Sequence, residues 1–146
     1  MNNTGEKFCI DLKNGLDDLP LLTTKLELFF EPFPHLINPI NLLMEELYSN
    51  SIYYGKAADL QVQILLEIRD DILCITYQDN GIAFDPFESK PDPNTDEAIE
   101  DRAIGGLGIH FVKNMTDQQR YKRKDGVNIL FLEKNIKKNE EKNAKY

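Results

Sequence analysis

Scarcity narrows the possibilities first: the 146-residue sequence has no tryptophan, two cysteines and two histidines. Cys9 and Cys74 lie far apart. They form neither a disulfide framework nor a metal-binding spacing, and a reducing compartment is expected. His35 and His110 share no metal-like spacing, and no Ser/His/Asp or Cys/His arrangement for nucleophilic catalysis stands out. Positive charge is in short supply, with 17 Lys and Arg against 25 Asp and Glu and a net charge of −8. Nucleic acids and anionic membrane surfaces attract basic footprints, so direct binding to either is not expected. No apolar run approaches the roughly 20 residues of a membrane span. The opening MNNTGEKFCIDLKNG has no apolar core of a secretory signal. The expected setting is cytoplasmic.

What is present is an ordinary globular composition, 41% hydrophobic and 29% charged. The length fits one domain able to bury a core. Residues 1–134 are expected to form that domain, and 135–146 (NIKKNEEKNAKY) a charged, frayed or disordered tail.

Periodicity supplies the elements. Residues 7–12 alternate as a strand, and 17–31 carry Leu19, Leu22, Leu26 and Phe29/Phe30 at helical spacing before EPFPH breaks the pattern. Asn38-Pro39 reads as an N-cap with proline at the first helical position. The helix it opens has Ile40, Leu43, Met44 and Leu47 as its core stripe and Gly55 as a left-handed stop. Residues 59–68 alternate, 69–71 turn and 72–78 run back, an antiparallel pair. Residues 86–104, with Pro86, Pro91, Pro93 and a run of acids, read as a surface loop. A helix over 107–119 and a strand over 127–133, entered through Asp125-Gly126, complete the pattern. The mixture predicts an α+β fold, helices packed on one face of a mixed, largely antiparallel sheet.

Three segments carry chemistry. Glu46 and Asn50 are four apart on the long helix, so both project from one face beside the apolar stripe. An amide oxygen suits hard Mg²⁺, and a carboxylate one turn away can orient or deprotonate a nucleophile. Taken alone, such a pair on a helix reads far more often as solvated surface. Asp79-Asn80-Gly81 ends a strand. A carboxylate there can accept a hydrogen bond from an exocyclic amine such as adenine's, and Gly81 lets a flat ring approach the backbone. The same tripeptide also makes a plain turn. The following Ile82-Ala-Phe84-Asp85-Pro86 fits a turn that packs apolar groups under a pocket.

Gly105-Gly106-Leu107-Gly108 opens a helix. Without Cβ atoms its backbone N–H groups can face phosphate oxygens at the helix's positive end, and the alternative is a hinge. The run has no GK[ST] ending, and it does not follow a strand as a dinucleotide fingerprint must. Arg102 stands three residues earlier, within reach of phosphates as a lid cation.

In order, MEELYSNSIYYG (44–55), YQDNGIAFDP (77–86), GGLGIHFVKNMTD (105–117) and DGVNILFL (125–132) resemble the ATP-binding domain of the GHKL superfamily. That group includes gyrase, the ninety-kilodalton heat-shock chaperone, histidine kinases and a mismatch-repair ATPase. The resemblance spans 7–134 and is strongest to the small bacterial anti-sigma-factor serine protein kinases. It implies a two-layer α/β sandwich, the Bergerat fold, with ATP and Mg²⁺ as cofactors. By resemblance Glu46 would be the general base and Asn50 the Mg²⁺ ligand. Asp79 would bind the adenine amino group, with Gly81 and Phe84 beside the base. Gly105, Gly106, Leu107, Gly108 and Ile109 would cradle phosphates, with Arg102 in the lid. The implied reaction moves the ATP γ-phosphate to a serine of an antagonist protein. The implied partners are a sigma factor, an anti-anti-sigma antagonist, or both, and a homodimer is plausible by the same route. The alternative function is an ATP/ADP-gated binding module with little or no kinase activity. No acceptor-histidine segment precedes the domain, which points away from a sensor histidine kinase.

Overall fold

The structure, a computed structural model, describes residues 7–55, 57–87 and 107–137. Strand β1 (Lys7–Leu12) passes through a 3-10 turn (Gly15–Asp18) into helix α1 (Leu19–Phe29). A second 3-10 turn (Pro34–Leu36) feeds α2 (Ile37–Gly55). The strands β2 (Val62–Arg69) and β3 (Ile72–Asp79) follow. Beyond residue 106 come α3 (Leu107–Met115), β4 (Gln118–Lys124) and β5 (Val127–Asn135).

The strands lie in the order β1-β2-β3-β5-β4, and all four described pairings are antiparallel. Alternation sets which face is covered. Ile10 and Leu12 of β1, Val62, Ile64 and Leu66 of β2, Leu73, Ile75 and Tyr77 of β3, and Leu130 and Leu132 of β5 are all buried. They form one core with Leu22 and Leu26 of α1 and Ile40, Leu43, Met44 and Leu47 of α2. Each such side chain contributes about 1.5–3 kcal/mol when fully buried. This is the expected α+β layering, helices on one face of the sheet.

Two tight turns fix the register. Asp70 and Asp71 take φ of 49° and 69°, and Asp125 and Gly126 take 51° and 79°. Paired positive φ matches the right-handed twist of the flanking strands, and aspartate tolerates that region better than most residues. The hairpins therefore pair Arg69 with Ile72 and Lys124 with Val127.

Four expectations need correction. Helix α2 begins at Ile37, not at an Asn38 cap, because the 3-10 turn runs straight into it. Pro39 falls inside the first turn, where a missing N–H costs nothing. Gly55 is not left-handed; its backbone instead packs against Gly81, as described below. The helix expected over 107–119 stops at Met115. Thr116 turns both its N–H (3.2 Å) and its hydroxyl (2.7 Å) back to the Val112 carbonyl, and Lys134 Nζ donates to the Met115 carbonyl at 2.9 Å. Asp117 N–H then donates to Glu133 O at 2.7 Å, and residues 118–124 become β4, a strand the sequence pattern did not reveal. Lastly, β5 continues to Asn135, and Ile136 is buried.

Candidate nucleotide site

Helix α2 changes character along its core face. Ile40, Leu43, Met44 and Leu47 give way one turn later to buried Asn50 and Ser51, and then to Gly55. Helical periodicity thus delivers polar side chains to the end of the apolar stripe. Strand β3 ends opposite them at Asp79, and Ser51 Oγ donates to Asp79 Oδ2 at 2.7 Å. Asn50, Ser51, Tyr54, Gly55, Tyr77, Asp79, Ile82, Phe84 and Asn128 line one cavity between α2, the end of β3 and β5.

Asp79 is firmly held. Its Oδ1 accepts from Gly81 N–H at 3.0 Å and from Asn128 Nδ2 at 2.8 Å. The turn after it is pinned as well. Ile82 N–H donates to Gly55 O at 3.0 Å, Asn80 Nδ2 donates to Asp59 O at 2.9 Å, and Gln61 N–H donates to Asn80 Oδ1 at 2.8 Å. Asn80 therefore splices the turn to the entry of β2 and leaves Asp79 facing the cavity. Phe84 lies parallel to Tyr54, with ring centroids 4.8 Å apart and 14° between planes, and the pair forms an aromatic wall.

Asn50 carries the clearest signal of an absent partner. Its Oδ1 is buried and accepts no hydrogen bond among the described residues. Such an oxygen costs free energy unless a ligand or ion meets it, and a neutral amide oxygen fits the hard-oxygen preference of Mg²⁺. The residue fits the ion it was expected to hold. Glu46 stands one turn back on α2, partly buried and outside the cavity lining. Desolvation first, and the neighbouring Glu45 second, raise its carboxyl above the ordinary glutamate value.

Asn50, Asp79 and Phe84 are thus brought into one cavity, with Gly81 at its edge and Glu46 beside it. Leu107, Gly108 and Ile109 form the first turn of α3. Arg102, Gly105 and Gly106, and the loop expected over 86–104 from residue 88 onward, lie outside the described residues.

Several site residues escaped the sequence reading: Ser51, Tyr77, Asn128, Tyr121 and Arg123. One signal was available for Asn128. In VNILFL the inward alternation is Asn128, Leu130, Leu132, and a lone amide in a core-facing row asks for partners.

Comparison with known proteins gives the family. Residues 25–134 match the family model described as a histidine kinase-like ATPase domain. A serine-protein kinase RsbW from Listeria innocua serovar 6a is 27% identical over 114 residues, spanning 75% of this chain and 73% of the relative. A serine-protein kinase RsbW from Listeria monocytogenes serovar 1/2a is 26% identical over the same length and shares. Among solved structures, the histidine kinase domain of the Erythrobacter litoralis EL346 blue-light activated histidine kinase aligns with a TM-score of 0.51 at 13% identity. That alignment covers 80% of this chain and 62% of the other, and it is a likeness of fold.

Proposed function

Because the chain belongs to the histidine kinase-like ATPase domain family, we propose that it is an ATP-dependent serine protein kinase acting on an antagonist protein and restraining a sigma factor. The observation that carries the nucleotide part is the cavity itself: a fixed carboxylate, Asp79, and a buried, unpartnered amide oxygen, Asn50 Oδ1, open into one space. The kinase part is supported by the two RsbW relatives, which are named as serine-protein kinases. The sigma factor enters through the resemblance of the sequence motifs.

In this reading Asp79 accepts a hydrogen bond from the adenine amino group, and the Tyr54–Phe84 wall flanks the base. Asn50 would hold Mg²⁺, which supplies positive charge to the phosphate oxygens when bound. Backbone amides of 105–109 would face the phosphates, with Arg102 closing over them. The serine hydroxyl of the antagonist attacks the γ-phosphorus, its proton passes to Glu46, and the bond to the bridging β–γ oxygen breaks to release ADP. A positioned base contributes about 10²–10⁴-fold. The raised carboxyl of Glu46 suits that role, since it binds a proton more tightly than an ordinary glutamate.

A second reading, a nucleotide-gated binding module with little or no transfer, draws on the same cavity, because Glu46 is not part of its lining. Incubation with γ-labelled ATP and a serine-bearing antagonist separates the two. Label on the antagonist that is lost in Glu46→Ala supports the kinase. Normal Mg-ATP binding without transfer, and partner control intact in Glu46→Ala, supports the module. By resemblance the protein would work in the cytoplasm and could pair as a homodimer.

A further inference from the structure

Asp79 is the last residue of β3 and faces Asn128 of β5, which in turn faces Arg123 of β4. The three form one cross-strand row on the helix-covered face of the sheet. Asn128 is buried at 5% exposure, so water does not substitute for its bonds. Its Nδ2 meets two acceptors, Asp79 Oδ1 and Ile82 O, each at 2.8 Å. Its Oδ1 meets three donors: Phe84 N–H at 3.3 Å, Arg123 Nη1 at 3.1 Å and the Tyr121 hydroxyl. Reversing the amide would set oxygen against two acceptors and nitrogen against three donors. Its orientation is therefore dictated by its surroundings. Arg123 Nη1 also reaches Gly81 O at 2.7 Å, so the same cluster grips the turn that follows Asp79.

An ionised carboxylate offers about four acceptor positions, two on each oxygen. Gly81 N–H and Asn128 Nδ2 take both on Oδ1, and Ser51 Oγ takes one on Oδ2. The Ser51 hydroxyl has one proton, which goes to Asp79. Tyr77, 2.7 Å away, must therefore donate to Ser51 Oγ. Burial pushes the Tyr77 hydroxyl well above its ordinary value, so it remains a donor. Among the described residues nothing takes the remaining position, on Oδ2.

We propose that Asn128, oriented by Tyr121 and Arg123 of the β4–β5 hairpin, is a positioning residue for base selection, fixing Asp79 so that one acceptor position stays open to a purine amino group. The proposal rests on the ATP-site reading above and deepens it. A base with an exocyclic amine fills the position, whereas one with a carbonyl or a bare carbon there leaves a buried acceptor unmet, a mismatch that sites reject strongly.

The test compares affinities for ATP, inosine triphosphate and purine riboside triphosphate by titration. The wild-type chain should prefer ATP by about ten- to a hundredfold. Asn128→Leu, close in volume, should bring the three within a few-fold of one another. The double variant Tyr121→Phe/Arg123→Gln keeps the amide but strips two of its orienting donors; it should lower the preference by about threefold or more, and it serves if Asn128→Leu fails to fold. Equal weakening of all three nucleotides in the folded variants, with the ATP preference intact, would make Asn128 a merely structural residue and overturn the proposal. A wild-type chain that prefers ATP while the variants also do so defeats this inference alone. A wild-type chain that binds none of the three defeats the ATP site and this inference with it.

Discussion

Gly55 and Gly81 are packed backbone against backbone at the rim of the cavity. A Cβ on Gly81 would lie 2.7 Å from Gly55 Cα and 3.2 Å from Gly55 O, and Ile82 N–H donates to that same carbonyl at 3.0 Å. The contact joins the end of α2, which carries Asn50, to the turn that holds Asp79. It also gives Gly81 a second purpose beside the expected approach of a base, since the space its missing side chain leaves is occupied by α2.

Gly81→Ala should therefore lower stability by about 1–3 kcal/mol, because the obstacle is backbone and cannot swing away. It should also weaken nucleotide binding, since moving the turn to relieve that clash shifts the Gly81 N–H that holds Asp79. A Cβ on Gly55 would meet only Leu60 Cδ1 at 3.4 Å and Gly81 Cα at 3.5 Å, ordinary contact distances. Gly55→Ala should be near neutral. Denaturant unfolding and ADP titration of both variants check the contrast, and a Gly81→Ala protein as stable as wild type would refute it.

A pH profile tests Glu46. Its carboxyl is raised by desolvation first and by Glu45 second, and a base must be deprotonated to work. The acid limb of phosphoryl transfer should lie above the ordinary glutamate value of about 4.3. Glu45→Gln removes the like charge and should move the limb toward lower pH. A limb that stays in place in Glu45→Gln, or that survives Glu46→Gln, removes Glu46 from the role of base.

Asp18 gives a stability test away from the site. It is buried, and its carboxyl is held below the ordinary range by the N–H groups of Asn14 (2.9 Å) and Lys13 (2.8 Å). A lowered folded value means that its stabilisation is complete above the unfolded value, about 3.9, and is lost as pH falls through the lower folded value. Asp18→Asn should be less stable than wild type at pH 7 by about 1–3 kcal/mol, and the gap should begin to narrow as pH falls below about 4. Thermal melts at pH 7, 5 and 3 measure it; a gap as large at pH 3 as at pH 7 would contradict it.

Much of this was legible because periodicity is clear in α2 and agrees with turn chemistry in the β2–β3 hairpin and at Asp125-Gly126. The stripe from Ile40 to Leu47 announced which face of α2 is covered, and so where Asn50 points. Strand β4 was not legible. Its sequence, QQRYKRK, has no apolar alternation, because it is an edge strand whose inward residues Tyr121 and Arg123 form hydrogen bonds instead of filling the core. Its polar start also continues the α3 pattern without a breaker, and only the bonds around Thr116 and Asp117 end that helix. Asn128 was hidden for a related reason, since its partners come from β3, β4 and the 81–84 turn and become neighbours only in the folded sheet. The left-handed stop assigned to Gly55 failed because its φ is not positive; the position where packing demands glycine is Gly81, which abuts the Gly55 backbone.

Calorimetric titration with Mg-ATP and with metal-free ADP addresses the central claim most directly. The wild-type chain should bind both. Asp79→Asn should lose both, because an amide there no longer offers the same fixed acceptor, and Asn50→Ala should weaken Mg-ATP far more than ADP. No heat from the wild-type chain with either nucleotide, or equal weakening of both by Asn50→Ala, would contradict the site as described.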